Sequence, residues 1–309
     1  MLAVLLRWGA NSLPLDRPND RSLHVRPVPR IGGVAIALGC TAGWLVAGLE
    51  GSKSLWAGLA LLFVVSGADD VRGLAFPWRL TAHVIAAALV VIPLAWPQYP
   101  VGVVLLFVMA IAWLTNLYNF MDGSDGLAGG MAVIGFGTYG IAAWSAGATG
   151  TAMLNWVISG AALAFLRFNV HPARVFLGDA GSIPLGFLAG SIGLIGWTQE
   201  IWPVWFPLVV FFPFIADATV TLARRLLRGE RVWEAHRNHY YQRVVQMGYG
   251  HTNTALVAYA LMVACAAAAI AFRTAAVHEQ GWMIAMVAVS FAGLMISIDR
   301  AWKRSGPAR

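Results

Sequence analysis

Residues 101–144 read VGVVLLFVMAIAWLTNLYNFMDGSDGLAGGMAVIGFGTYGIAAW. Two apolar runs flank a centre, 116–130, that holds two asparagines, two aspartates and four glycines. Each run approaches the ~20 residues that a helix needs to cross a bilayer. In lipid the backbone must satisfy its own hydrogen bonds, so such runs are helices rather than strands. The polar centre then falls at a membrane rim.

The rest of the chain repeats the pattern. Of 309 residues, 59% are hydrophobic and 11% charged, against about 25% charged in a soluble domain. Ten apolar stretches stand out, roughly 34–49, 54–68, 80–96, 101–118, 127–145, 150–168, 182–197, 203–222, 254–272 and 281–298. The fold class expected is all-α, a polytopic membrane protein of about ten transmembrane helices in one domain, residues 1–309, with its active site at the cytoplasmic rim. The opening MLAVLLRWGA is too short to span, so an N-terminal helix is expected to be short or truncated. Cys40 and Cys265 lie inside apolar runs and have no metal-binding spacing.

Charge orients the chain. Numbering the segments between runs alternately, every Lys and Arg but Lys53 and Arg273 falls on one side. The positive-inside rule makes that side cytoplasmic. Asp69, Asp70, Asp122, Asp125 and Asp179 fall on the same side, as do His24, His171, His236, His239 and His251.

Four constellations could carry chemistry. In GADDVRGL, the adjacent Asp69 and Asp70 repel, which invites a divalent cation or a raised pKa. In 116–130, Asn119, Asp122 and Asp125 recur every third residue, sharing a face if that segment is helical. Their oxygens suit magnesium with a substrate phosphate, and glycines 123, 126, 129 and 130 would let a ligand approach the backbone. A polar turn capped by aspartates is the plainer alternative. In RVFLGDAGSIPLG, Asp179 lies just before a helix start, with Ser182 available as a cap. Phe176 there, taken alone, suits packing more often than base stacking. Finally RRLLRGERVWEAHRNHYYQR crowds His236, Arg237 and His239 together, and RPNDRSLHVRPVPRIGG adds Arg21, His24, Arg26 and Arg30. Arginine suits phosphate recognition, although basic rims also meet anionic lipid headgroups. Asp217 reads as structural or supporting, and His83, one turn beyond Arg79, as a packed core histidine.

Five of these motifs, RSLHVRPVPRIGG, DDVRGL, NLYNFMDGSDGLAGG, VFLGDAGS and HRNHYYQR, resemble in order those of the polyprenyl-phosphate N-acetylhexosamine-1-phosphate transferases. That family includes the phospho-MurNAc-pentapeptide translocase and the enzymes that begin O-antigen, enterobacterial common antigen and teichoic acid synthesis. The resemblance implies transfer of a sugar 1-phosphate from a UDP-N-acetylhexosamine to undecaprenyl phosphate, with release of UMP. It implies a bacterial inner-membrane enzyme of the cell envelope that uses Mg2+, or Mn2+ in its place. It admits a homodimer and involves no nucleic acid. It assigns Asn119 and Asp179 to the metal, Asp69 to the lipid phosphate, and Asp70 to a supporting charge. Asp122 and Phe176 match positions that contact uracil, while His236, Arg237 and His239 match a loop that grips pyrophosphate. Arg79 stands where many relatives carry Lys. Asp125, His24 and Arg30 complete the expected substrate-binding set. HRNH in place of a three-histidine run sets the chain closer to the O-antigen and lipopolysaccharide branch than to the translocase.

Three rival readings were open. A transporter of an anionic solute would place its site near the bilayer midplane with repeated halves, and the motifs are one-sided. A membrane prenyltransferase would need two matched DxxxD segments, which the chain lacks. An intramembrane aspartyl protease would want GxGD, where this chain has FLGD.

Overall fold

The computed structural model describes residues 15–16, 27–49, 51–232, 234 and 236–305. The opening MLAVLLRWGA and His24 lie outside the described residues. A two-residue antiparallel ladder pairs β1 (Leu15–Asp16) with β2 (Val28–Pro29). Every other named element among the described residues is helical. The helices are α1 (Gly32–Val46), α2 (Lys53–Arg72), α3 (Phe76–Ala95), α4 (Val101–Phe120), α5 (Leu127–Ser145) and α6 (Thr149–Asn169). After them come α7 (Asp179–Thr198), α8 (Phe206–Val210), α9 (Phe212–Leu227), α10 (Tyr240–Val244), α11 (Gly250–Phe272) and α12 (Val277–Ser305).

Each of the ten apolar stretches coincides with helix. Eight described runs, with α10 through α11 taken as one, are long and apolar enough to cross a membrane, and α1 is a shorter apolar helix. The stretch 203–222 differs from its expectation. It breaks into α8 and α9 at Phe211, because Pro213 has no N–H to continue the ladder. Between α10 and α11 the chain takes a π turn, with Gly248 at φ 94° and Gly250 at φ 73°. Those left-handed values favour glycine.

Burial inverts the pattern of a soluble protein. Val46, Leu227 and Val277 are 84–90% exposed, as lipid-facing residues should be. Helix α7 is the hub, with 83% of its spanning window buried, against 17% for α12. Small residues let neighbours close on it, the usual device where lipid removes the hydrophobic drive between helices. A Cβ on Gly186 would come within 2.7 Å of the Leu114 carbonyl on α4. One on Gly33 would come within 2.3 Å of the Gly181 nitrogen, so α1 and α7 meet backbone to backbone. Beside that contact, Gly32 and Gly33 donate to the carbonyls of Phe176 and Leu177 at 2.9 and 2.8 Å, and Phe176 donates to Pro29. Arg30 is thereby stitched beside Phe176, at the mouth of α7.

Candidate active site

The rim ends of α2, α4 and α7 enclose a cavity of about 540 Å³, which Arg30, Asp69, Asp70, Arg79, Asn119, Asp122, Asp125, Phe176, Asp179, His236 and His239 help to line. Residues from all the described motifs therefore converge, although Arg30 and His239 stand far apart in the chain. Arg237 is the exception. It is exposed and does not line the cavity, and its carbonyl accepts from Gln246 at 3.0 Å.

The acidic wall is built by helix ends. Asp69, in the last turn of α2, accepts from the Leu74 N–H and from Arg79 at 2.8 Å. The same Arg79 nitrogen reaches Asp179 at 3.4 Å. Asp69 and Asp179 also lie within hydrogen-bonding reach of each other, a closeness that two anions tolerate only with a proton or a cation between them. Asp70 behaves differently from its neighbour. Its two oxygens accept the N–H groups of Asp179 and Ala180 at 3.1 and 2.9 Å. It therefore caps the first turn of α7, where orphan donors and the helix dipole favour an anion. Arg30 stands 4.0 Å away. The cap expected of Ser182 is thus supplied by Asp70 from another helix, and Ser182 instead donates to the Gly178 carbonyl at 3.1 Å. Asn119 donates to both Asp179 (2.8 Å) and Ser182 (2.9 Å).

The 121–126 segment corrects the expectation of a shared helical face. Helix α4 stops at Phe120 and helix resumes only at Leu127, after Gly126 at φ 79°. Asp122 and Asp125 therefore diverge. Asp122 turns into the acidic wall. Burial first, then the neighbouring Asp179 and Asp70 charges, push its carboxyl well above the usual carboxylate range. Asp125 accepts instead from His171 at 2.7 Å and from the Ala173 N–H at 3.1 Å.

The glycines of this segment make room for protein side chains, and Gly123 also lines the cavity. A Cβ on Gly123 would lie 2.1 Å from the Tyr241 hydroxyl, and one on Gly130 would lie 2.0 Å from the Tyr259 ring. Three tyrosine hydroxyls pin the turn by donating to its carbonyls. Tyr118 holds Ala128 (2.8 Å), Tyr241 holds Phe120 (3.1 Å) and Tyr259 holds Gly126 (2.7 Å). Asn169 ties it to the next loop, accepting from the Gly126 N–H and donating to the Val175 carbonyl.

Opposite the acids, the His236 and His239 rings stack 4.8 Å apart. Burial first, then the nearby His239 and Arg225, lower the His236 pKa to about 4, so this ring is neutral near pH 7. Its Nδ1 accepts from the Asn238 N–H at 3.3 Å, which leaves the proton on Nε2. Asp217 organises the loop. Its carboxylate meets His239 Nδ1 (3.1 Å) and accepts the N–H groups of Tyr240 (2.9 Å) and Tyr241 (3.0 Å). Arg225 folds the preceding turn through Glu230, Arg231 and Glu234.

A buried acid inside an apolar run is the signal that marks Asp217 in the sequence. Nothing comparable marks Arg225 or the three tyrosines, whose partners are backbone carbonyls of remote segments. His83 is buried as expected, with Nδ1 unpartnered among the described residues.

The oxygen set on the acidic wall fits a magnesium-class ion. Asn119 donates through its amide nitrogen, so its carbonyl oxygen remains available. Asp69 and Asp179 crowd beside it with a single guanidinium between them. Hard oxygen donors with room for water and phosphate are what magnesium takes.

Residues 52–196, which run from the start of α2 to the end of α7, match the model of glycosyl transferase family 4. Over that stretch the chain is similar to that family. It is 29% identical over 296 residues to a Bacillus subtilis (strain 168) protein named "Probable undecaprenyl-phosphate N-acetylglucosaminyl 1-phosphate transferase", covering 89% of this chain and 80% of that one. It is 29% identical over 291 residues to the decaprenyl-phosphate N-acetylglucosaminephosphotransferase of Mycobacterium leprae (strain TN), covering 78% and 72%. A shorter likeness, 44% over 91 residues, covers 29% of this chain and 28% of a phospho-N-acetylmuramoyl-pentapeptide-transferase of Shouchella clausii (strain KSM-K16). The family resemblance read from the motifs is borne out. The matched segment carries the whole acidic wall, and Arg30 and the histidine loop lie outside it.

Proposed function

We propose that the protein transfers N-acetylglucosamine 1-phosphate from its UDP derivative to undecaprenyl phosphate, releasing UMP at the cytoplasmic face. The carrying observation is one rim cavity in which Asp69, Asp122 and Asp179 face His236 and His239, with Arg30 and Arg79 beside the acids. Both substrates are anionic, one lipid and one water-soluble, so they can meet only at such a rim. The names of the Bacillus subtilis and Mycobacterium leprae relatives support the sugar and the polyprenyl acceptor. The start of a lipid-linked surface polysaccharide, in the O-antigen branch, rests on HRNHYYQR.

An oxygen of the lipid phosphate attacks the sugar-bearing phosphorus, the bond to the bridging oxygen breaks, and UMP leaves with that oxygen. Asn119 and Asp179 would hold Mg2+, which supplies charge neutralisation for the diphosphate and the leaving group. Arg79 links Asp69 to Asp179, so the residue that orients the lipid phosphate moves with the ion-binding one. Asp70 acts through α7, whose first turn it caps. His236 donates to the diphosphate through its Nε2–H, beside His239, which Asp217 orients. Phe176 and Asp122 meet the uracil, and a protonated Asp122 could donate to a base carbonyl. Asp125 fixes the 171–176 segment that carries Phe176. Most of the catalysis is then positioning and charge neutralisation, as in phosphoryl transfer generally.

The experiment is UMP release by the purified chain with undecaprenyl phosphate, Mg2+ and UDP-N-acetylglucosamine, beside UDP-N-acetylgalactosamine. Release with the first sugar only is expected. Vesicle uptake of an anionic solute with no UMP formed would overturn the proposal.

A further inference from the structure

Asp299 stands near the end of α12, in the stretch IDRAWKR, and does not line the rim cavity. Only 17% of the spanning window of α12 is buried, so most of that helix meets lipid. Its one acid in this last stretch nonetheless turns onto α9 and α10. One oxygen of Asp299 accepts from Arg224 at 2.5 Å and from the Tyr240 hydroxyl at 3.2 Å, and the other accepts from Arg243 at 2.9 Å. Both guanidiniums also contact the Tyr240 ring, 5.5 and 5.1 Å from its centroid, which adds cation–π attraction.

Tyr240 leads from this clasp to the cavity. Its N–H donates at 2.9 Å to the Asp217 oxygen that lies 3.1 Å from His239 Nδ1. It directly follows His239, whose ring stacks on His236. A shift of Tyr240 is therefore passed through the chain and through one shared oxygen to the histidine pair. Removing the Asp299 carboxylate would leave two cations converging on one ring with no anion between them, and like charges so placed repel.

We propose that Asp299 is a positioning residue for sugar-nucleotide binding. From α12 it holds α10 against α9, so that His236 and His239 face the diphosphate. This use of the clasp rests on the transfer reading, whereas the clasp itself can be tested without turnover.

The first measurement is diethyl pyrocarbonate modification of the full chain in detergent, mapped by mass spectrometry. His239 is 2% exposed and should react slowly in the wild type. In Asp299→Asn it should react about fivefold faster or more, the effect expected when a coupled contact is lost. The buried His83 should stay slow, which reports an intact fold, and the exposed His278 should not change. Asp299→Glu, which keeps an anion for both arginines, should restore slow reaction. Tyr240→Phe, which removes only the hydroxyl, should shift His239 in the same direction as Asp299→Asn and serves where that variant does not fold. The second measurement is UMP release. Asp299→Asn should raise the KM for the UDP-sugar about fivefold and leave that for undecaprenyl phosphate unchanged, while adding less than about twofold in a His239→Ala background. Unchanged His239 reactivity in the folded variants, equal KM changes for both substrates, or full additivity with His239→Ala would each overturn the proposal. Wild-type protein that releases no UMP would instead fail the transfer reading, and His239 reactivity would then decide the clasp alone.

Discussion

Adjacent carboxylates divide their labour here. Asp69 reaches Arg79 and, within hydrogen-bonding distance, Asp179, whereas both oxygens of Asp70 hold backbone N–H groups of α7. Asp70→Ala should therefore destabilise the protein by about 1–2 kcal/mol, the usual cost of a lost helix cap, as well as slowing turnover. Asp179→Asn should abolish metal-dependent turnover with little change in thermal midpoint, and near-normal activity would remove Asp179 from the ion site. Titration supplies a third test at this scale. Asp122 keeps its proton in the folded state, so between about pH 4 and its raised pKa the folded chain binds more protons than the unfolded one, and stability falls as pH rises. His236 has the opposite sign. Its folded pKa of about 4 lies below the ~6.5 of an unfolded histidine, so it adds stability as pH rises between those values. With chelator present, the melting temperature of Asp122→Asn should decline less with pH than that of the wild type. That of His236→Asn should decline more between about pH 4 and 6.5. Identical profiles would contradict both assignments.

Elements show where sequence reading stops. The ten apolar stretches were legible because lipid forces each into helix, and the motifs marked which helix ends meet. The divergence of Asp122 from Asp125 was not legible, since three-residue spacing fits a helix face and a turn equally well. What decides is the turn at Gly126 and the tyrosines from α4, α10 and α11 that hold it, and those contacts are long-range. Arg237 shows the same limit from the other side. It shares a turn with His236 and His239, yet Asp217 orients His239 and leaves Arg237 exposed. His239→Ala should thus raise the apparent KM for the nucleotide sugar several-fold more than Arg237→Ala does. Equal effects would put Arg237 in the cavity after all.

Across the whole molecule, helix ends and the segments between them bring Asp69, Asp70, Asp122, Asp125 and Asp179 to one cavity, and by the alternation of apolar runs only Lys53 and Arg273 among the cations of the described residues fall on the opposite side. That asymmetry predicts orientation. With Cys40 and Cys265 replaced by alanine, a cysteine at Gly229 should label only in inside-out vesicles, and one at Thr274 only in right-side-out vesicles. The reverse pattern would move the site to the other side of the membrane.

The most direct test of the central claim is UMP release by the purified chain against Mg2+ concentration, with undecaprenyl phosphate and UDP-N-acetylglucosamine supplied. Release should require the ion, saturate with it, and vanish in Asp179→Asn while that variant stays folded. Folded wild-type protein that releases no UMP at any Mg2+ concentration, or that releases it equally without the ion, would contradict a cation-bridged sugar-phosphate transfer at this rim.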